Sequence, residues 1–237
     1  MSSQPKRKYT EEEYLAMDAA SESKLEYMGD EIVDLGALNA SQEVPGMPEP
    51  LYTNVTEEDY LALDRESDVR LEYFNGNVYA MVGASEAHID IVTTLTALLY
   101  GALRGRCKTY NADMRVNMNP EGKYAYPDLT VVCGTPEFRD DTSAATLLNP
   151  TVIIEVLSES TELYDLKVKF HSYQQIASLQ GYVLIAQDEP RIEVYARHTE
   201  DAWLLTQAKS LQDSIKLPAI DLTLQLSEVY AQVTFDA

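Results

Sequence analysis

Only two cysteines, three histidines and one tryptophan occur in the 237 residues, and 18 Lys and Arg stand against 39 Asp and Glu. Each scarcity excludes something. Cys107 and Cys133 lie far apart with no Cys-x-x-Cys spacing, so neither a disulfide framework nor a zinc knuckle is indicated, and a reducing cytoplasm fits best. His88, His171 and His198 have no metal-ligand spacing between them. Gly-x-Ser-x-Gly and P-loop patterns are absent too, which removes serine-hydrolase and nucleoside-triphosphatase readings. With a formal charge of -21, holding nucleic acid through a broad basic face would need a local patch strong enough to overcome that field, and contact with a polyanion is expected to be transient, weak and salt-sensitive. The N-terminus, MSSQPKRKYTEEEY, lacks the apolar core of a secretory signal, and no run approaches the roughly 18 apolar residues of a membrane span. No membrane role is expected.

What is present is a globular composition, 45% hydrophobic and 24% charged, with an internal duplication. YTEEEYLAMDAASESKLEYMGDEIVDLGA from Tyr9 returns as VTEEDYLALDRESDVRLEYFNGNVYAMVGA from Val55. Each copy reads as a short helix capped by Thr10 or Thr56, followed by two strands about a tight turn, Gly29-Asp30 or Asn75-Gly76. Between them SQEVPGMPEP has three prolines and no periodicity. The domain reading is therefore a partial duplicate over 1–46, a linker over 47–52 and a main domain over 53–237.

In the main domain, Ile89, Val92, Leu95, Leu99 and Leu103 recur at helical spacing. Ala112, Met114, Val116 and Met118 alternate with Asp113, Arg115 and Asn117 as in a strand with one solvated face. LTVV after Pro127-Asp128 and VIIEVL from Val152 are short, β-branched and continuously apolar, the pattern of buried central strands. Residues 161–177 read as an amphipathic helix with Leu163, Leu166, Phe170, Tyr173 and Ala177 inward, and GYVLIA and RIEVYA as two more strands. That order of elements predicts one mixed α/β sheet flanked by helices.

Glu155 lies within VIIEVL, where an unpaired carboxylate costs several kcal/mol. A cation, a metal ion or a raised pKa must compensate it. Asp128 poses the same problem at the head of the other buried run. Two such carboxylates suit a hard cation such as Mg²⁺, which leaves room for water and phosphate oxygen, and a nearby lysine would complete a hydrolytic centre. Lys167 and Lys169 both flank the buried stripe of the following helix, and spacing does not choose between them. Asp128 and Glu155 are equally readable as a structural pair, and Lys169 as a surface partner of Asp165 four residues earlier.

YPDLTVV, PTVIIEVLSEST, YDLKVKFHSYQQIASLQGYVLI and RIEVYAR, together with the helix-hairpin TEEDYLALDRESDVRLEYFNGNVYAMVG, resemble the Uma-type endonuclease family, part of the PD-(D/E)XK restriction-endonuclease-like superfamily. The resemblance runs over about residues 53–200. It implies a restriction-endonuclease-like fold, Asp128 and Glu155 as carboxylates for Mg²⁺ or Mn²⁺, DNA as substrate and, by analogy, a homodimer. Leu157 occupies the place where the superfamily keeps its lysine, and the family pattern moves that role to Lys169. Glu159 replaces the proline of the family's usual LSPST, and the duplicated N-terminus departs from its single-copy layout. The family also tends to carry a histidine at His88, whose spacing alone makes it a core residue beside Val92, Leu95 and Leu99. Asp113 is a candidate third acid, with a solvated strand face as its plain alternative, and Tyr173 reads as core. Against the nuclease stand an idle binding or assembly module and a small-phosphoester hydrolase, both suited to the acidic charge.

Overall fold

The computed structural model describes residues 49–237 except 82, 120–121, 140–145, 159–161, 163, 201 and 236–237, and, of the N-terminal segment, strands β1 (Leu25–Met28) and β2 (Glu31–Asp34). The helix read into the first copy of the repeat lies outside the described residues. Its hairpin does not: β1 and β2 pair antiparallel from Leu25↔Asp34 to Met28↔Glu31. In the second copy, β3 (Leu71–Phe74) and β4 (Asn77–Ala80) repeat that register from Leu71↔Ala80 to Phe74↔Asn77. Asn75 and Gly76 turn this hairpin with φ of 49° and 84°, the positive values a type I′ turn requires.

Helix α1 (Glu57–Glu66) precedes that hairpin. The Thr56 hydroxyl accepts from the Asp59 amide at 3.2 Å, and Glu57, Glu58 and Asp59 face the positive end of the helix dipole. Helix α2 (Glu86–Leu103) opens on Ser85, whose hydroxyl accepts from the His88 amide at 3.1 Å. Its fully buried face is Ile91, Leu95, Leu99 and Leu103. Ile89, expected inward, is 53% exposed, because the buried stripe begins at Ile91, four residues before Leu95.

Instead of one mixed sheet, the described residues form two six-stranded sheets. One runs β4-β3-β7-β6-β10-β9, with β6 (Arg115–Asn119), β7 (Lys123–Ala125), β9 (Phe138–Arg139) and β10 (Thr146–Leu147). The other runs β14-β13-β12-β11-β8-β5, with β5 (Cys107–Asn111), β8 (Leu129–Cys133), β11 (Val152–Leu157), β12 (Gly181–Ala186), β13 (Ile192–Arg197) and β14 (Trp203–Ala208). Each sheet is mixed: β6–β10 and β11–β12 are parallel. A small hairpin, β15 (Ser214–Leu217) and β16 (Leu222–Gln225), and helix α4 (Leu226–Val229) close the chain. The second sheet appears because the supposed strand through Ala112 is broken. Asn111 Oδ1 accepts from the Asp113 amide at 3.2 Å, an Asx turn that sends β5 into one sheet and β6 into the other.

Alternation along the central strands explains their unbroken apolarity. Val152, Ile154 and Val156 of β11 pack with α2 and α4 on one side, whereas Ile153 and Leu157 face the other core, shared with Phe74, Val116 and Met118 of the first sheet. Glu155 has the parity of Ile153 and Leu157 and therefore points between the sheets. A third core packs Tyr60 of α1 against Leu71, Tyr73, Val78 and Tyr124.

Two features overturn sequence expectations. Cys107 and Cys133 are direct partners in the β5–β8 ladder and form a disulfide, which withdraws the argument for a reducing compartment. Pairing across a sheet is invisible to sequence spacing. Arg115, read as solvated, is 1% exposed. It donates to Asp64 of α1 at 2.7 Å and to the Thr146 hydroxyl at 2.6 and 2.9 Å, while Tyr126 also donates to Asp64. Among the described residues no helix is long and apolar enough to cross a membrane. Because Asp64→Ala removes a buried carboxylate that faces the Arg115 guanidinium, it is expected to cost about 3–5 kcal/mol in urea unfolding, and Asp64→Leu with Arg115→Met to cost much less.

Candidate active site between the two sheets

Strand register makes the site. The antiparallel ladder Val152↔Val131, Ile153↔Thr130, Ile154↔Leu129 continues to bring Glu155 beside Asp128. Pro127 fixes the approach of the chain. The Val156 amide then donates to Asp128 Oδ2 at 2.8 Å, and the Asp128 amide lies 3.4 Å from Glu155 Oε2. His88, in the first turn of α2, places Nε2 2.9 Å from Asp128 Oδ1. Asp128 and His88 are 13% and 17% exposed and form the open side of the cluster.

The deeper side is closed by a π-helical segment, Tyr164–Lys169, continued by α3 (Phe170–Tyr173). Winding by i→i+5 turns a different face inward from the α-helix expected here. Tyr164, Asp165, Val168, Lys169, Ser172, Tyr173 and Ile176 are buried, while Leu166 and Phe170 are half-buried and Ala177 is exposed. Leu163 and the Lys167 side chain lie outside the described residues. Lys169 Nζ stands 3.1 Å from Glu72 Oε1, 3.1 Å from Asp165 Oδ1 and 3.3 Å from Glu155 Oε1, and every member of this group is less than a tenth exposed. The ring of Tyr164 lies 5.2 Å from the ammonium, and the Tyr173 hydroxyl donates to Glu155 Oε1 at 3.1 Å.

One ammonium does not balance three carboxylates. Burial drives the Glu155 carboxyl well above its ordinary pKa; Lys169 opposes this, while Asp165, Asp128 and Glu72 push it further. For Lys169 burial favours the neutral amine, yet Asp165, Glu155 and Glu72 outweigh it and hold the ammonium well beyond the usual lysine range. Surplus negative charge of this kind accommodates a further cation. Glu155 Oε2, whose backbone contact is long, and the Asp128 carboxylate supply hard oxygen donors fitting Mg²⁺ or Mn²⁺. Among the described residues no three His, Cys, Asp or Glu side chains converge as a complete cage, so water and phosphate oxygen would fill the remaining positions.

Of the residues named from sequence, Asp128, Glu155, Lys169 and His88 come together. Tyr173 is core by its ring and polar by its hydroxyl. Asp113 stands elsewhere, 68% exposed in the Asx turn and paired with Arg70. Sequence reasoning missed Glu72 and gave Asp165 only a surface role. The argument that found Glu155 applies equally to Glu72, an acid inside the bulky apolar strand Leu71–Phe74.

Lys169→Met is expected to lose about 3–5 kcal/mol at pH 7. Part of this should return by pH 5: Glu155, whose folded pKa is raised, binds more protons in the folded state, so stability climbs as pH falls toward its unfolded value of about 4.3. Urea unfolding at the two pH values measures both effects.

Residues 57–227 match the family model Uma2, described as "putative restriction endonuclease". Two relatives from Synechocystis sp. (strain ATCC 27184 / PCC 6803 / Kazusa) are similar. "Uncharacterized protein slr1290" is 31% identical over 163 residues, 68% of this chain and 84% of that protein. "Uncharacterized protein sll1609" is 35% identical over 133 residues, 56% of this chain and 75% of that protein. A crystal structure of a "putative nuclease belonging to DUF820" from Anabaena variabilis ATCC 29413 superposes with a TM-score of 0.62 at 16% identity, covering 75% of this chain and 98% of that one, which is a likeness of fold. With nearly three-quarters of its length inside the family model and its paired acids, Asp128 and Glu155, inside the matched span, this chain belongs to the Uma2 family.

Proposed function

We propose that the protein is a metal-dependent endonuclease hydrolysing phosphodiester bonds in DNA, with Asp128 and Glu155 holding Mg²⁺ or Mn²⁺ and Lys169 as the cationic catalytic residue. The observation that carries this reading is the Lys169 ammonium within 3.3 Å of Glu155, on strands whose register sets Glu155 beside Asp128. A bound divalent ion would polarise the phosphoryl oxygen and lower the pKa of its water.

The chain's own groups do the positioning. The Val156 amide and His88 orient Asp128 from opposite oxygens. Tyr173 and Lys169 hold Glu155 Oε1, which leaves Oε2 turned toward Asp128. Glu72 and Asp165 fix the ammonium in place, so its charge needs little reorganisation as negative charge develops on the phosphoryl group. The surplus of acids keeps DNA association weak and salt-dependent. That same surplus favours a second reading, hydrolysis of a small phosphoester.

Supercoiled plasmid incubated with the full chain and Mn²⁺ tests the proposal. Nicking or linearisation is expected, abolished by EDTA and reduced at least about 100-fold in Asp128→Ala and Lys169→Ala. Equal cutting by all three proteins, or none by any, overturns it. Hydrolysis of bis(4-nitrophenyl) phosphate with intact plasmid transfers support to the second reading.

A further inference from the structure

The Cys107–Cys133 disulfide lies where a thiol can reach it. β5 is the outermost strand of its sheet, Cys133 is exposed at the end of β8, and Cys107 is half-buried at the start of β5. Its surroundings differ in charge from the rest of the molecule. Arg104, Arg106 and Lys108 flank Cys107, all of them exposed, and residues 91–112 contain no acid in a chain with 39 Asp and Glu. Among the described residues no carboxylate pairs with any of these cations; the Arg106 guanidinium reaches the Ile220 carbonyl at 3.4 Å.

Positive charge beside a sulfur favours its thiolate, and a sulfur that departs readily as thiolate speeds thiol–disulfide exchange. The two cysteines therefore differ in role. Cys133 Sγ is the sulfur that an incoming thiolate meets, and Cys107 Sγ is the one that leaves. Uncompensated cations on an otherwise acidic surface also draw a negatively charged thiol toward the bond.

The segment enclosed by the bond gives its opening a consequence. Over a separation of 26 residues the chain leaves sheet two by the Asx turn, supplies β6 and β7 to sheet one, and returns through Asp128 to β8. The β5–β8 ladder runs from Cys107↔Cys133 to Asn111↔Leu129 and so ends beside Asp128. With the bond open, an edge strand is held by that ladder and its packing alone.

We propose that Cys107–Cys133 is a reversible redox site, opened by an anionic thiol reductant, that sets how firmly the segment carrying Asp128 is held. One thiolate of a dithiol attacks Cys133 Sγ, the bond between the cysteines breaks, and Cys107 leaves as a thiolate that takes up a proton. The second thiol of the reductant loses its proton and attacks the reductant's own sulfur in the mixed disulfide. Cys133 is released as a thiolate and protonated. The reductant ends as its disulfide, two electrons pass to the protein, and the two thiol protons end on Cys107 and Cys133.

Millimolar reduced glutathione, an anionic monothiol, is added to the folded full chain without denaturant, and the reaction is quenched in acid for peptide mass mapping. Glutathione is expected on Cys133, with Cys107 as the free thiol. Dithiothreitol is expected to carry the protein on to two thiols. In urea the reduced protein should then show an unfolding constant larger by about 300-fold, the entropy of a loop of this length. Amide hydrogen exchange should quicken along β5 and through Asp128. Cys107→Ser with Cys133→Ser should reproduce both changes and be indifferent to thiols. Arg104→Gln, Arg106→Gln and Lys108→Gln together should slow reaction with glutathione about tenfold, and with neutral 2-mercaptoethanol less. A bond that resists glutathione until urea unfolds the chain is a structural staple and overturns the proposal. So does glutathione found on Cys107, a rate unmoved by loss of the cations, or hydrogen exchange near Asp128 that is the same in both redox states. None of these readouts involves DNA cleavage, so the redox site and the nuclease fail separately.

Discussion

The arrangement depends on one buried ammonium. Lys169 sits among Glu72, Asp165 and Glu155 with all four side chains out of water. At this depth an isolated carboxylate costs several kcal/mol, and mutual repulsion adds to it. The lysine offsets much of that cost and leaves a remainder. Sheet one contributes Glu72, sheet two contributes Glu155, and the π-helical turn contributes the other two, so the charge cluster also ties three parts of the chain together.

A second buried pair does a different task. Asp64 and Arg115 fasten α1 to the outer face of the first sheet, with Tyr60 and Tyr124 flanking the guanidinium at 5.9 and 5.6 Å. Tyr126 joins the two systems. Its hydroxyl reaches Asp64, its amide lies 3.3 Å from Glu72 Oε1, and two residues later the chain supplies Asp128. Helix α1 and the hairpin after it are thus part of the scaffold that positions the acids. In the N-terminal copy of this unit Asp18 and Glu26 stand at the places of Asp64 and Glu72.

The proposed reaction carries an electrostatic conflict, since a surface with a formal charge of -21 repels the DNA that the proposal brings to the site. The conflict is local in character. Exposed charges beyond a Debye length of about 8 Å are largely screened at physiological salt, whereas the cluster between the sheets is not. Weak, salt-dependent association with DNA is compatible with both facts.

Periodicity and residue type by themselves determined a good part of this molecule. Buried strands at LTVV and VIIEVL, the Asn75-Gly76 hairpin, helix α2 and the misplacement of Glu155 in an apolar run are local properties, set by backbone preference and by the cost of burying charge. The likeness of motif singled out Lys169 where the helical wheel did not. Tertiary structure alone decided what depends on pairing distant segments. The exchange of β5 and β6 between two sheets preserves the alternation of a single strand, so the second sheet is hidden. The Cys107–Cys133 bond follows from the ladder that makes them neighbours, and Arg115 is buried because α1 brings Asp64 over it. Glu72 joins Lys169 only because the two sheets pack face to face. Those contacts are set by strand register and sheet packing, which no spacing along the chain records.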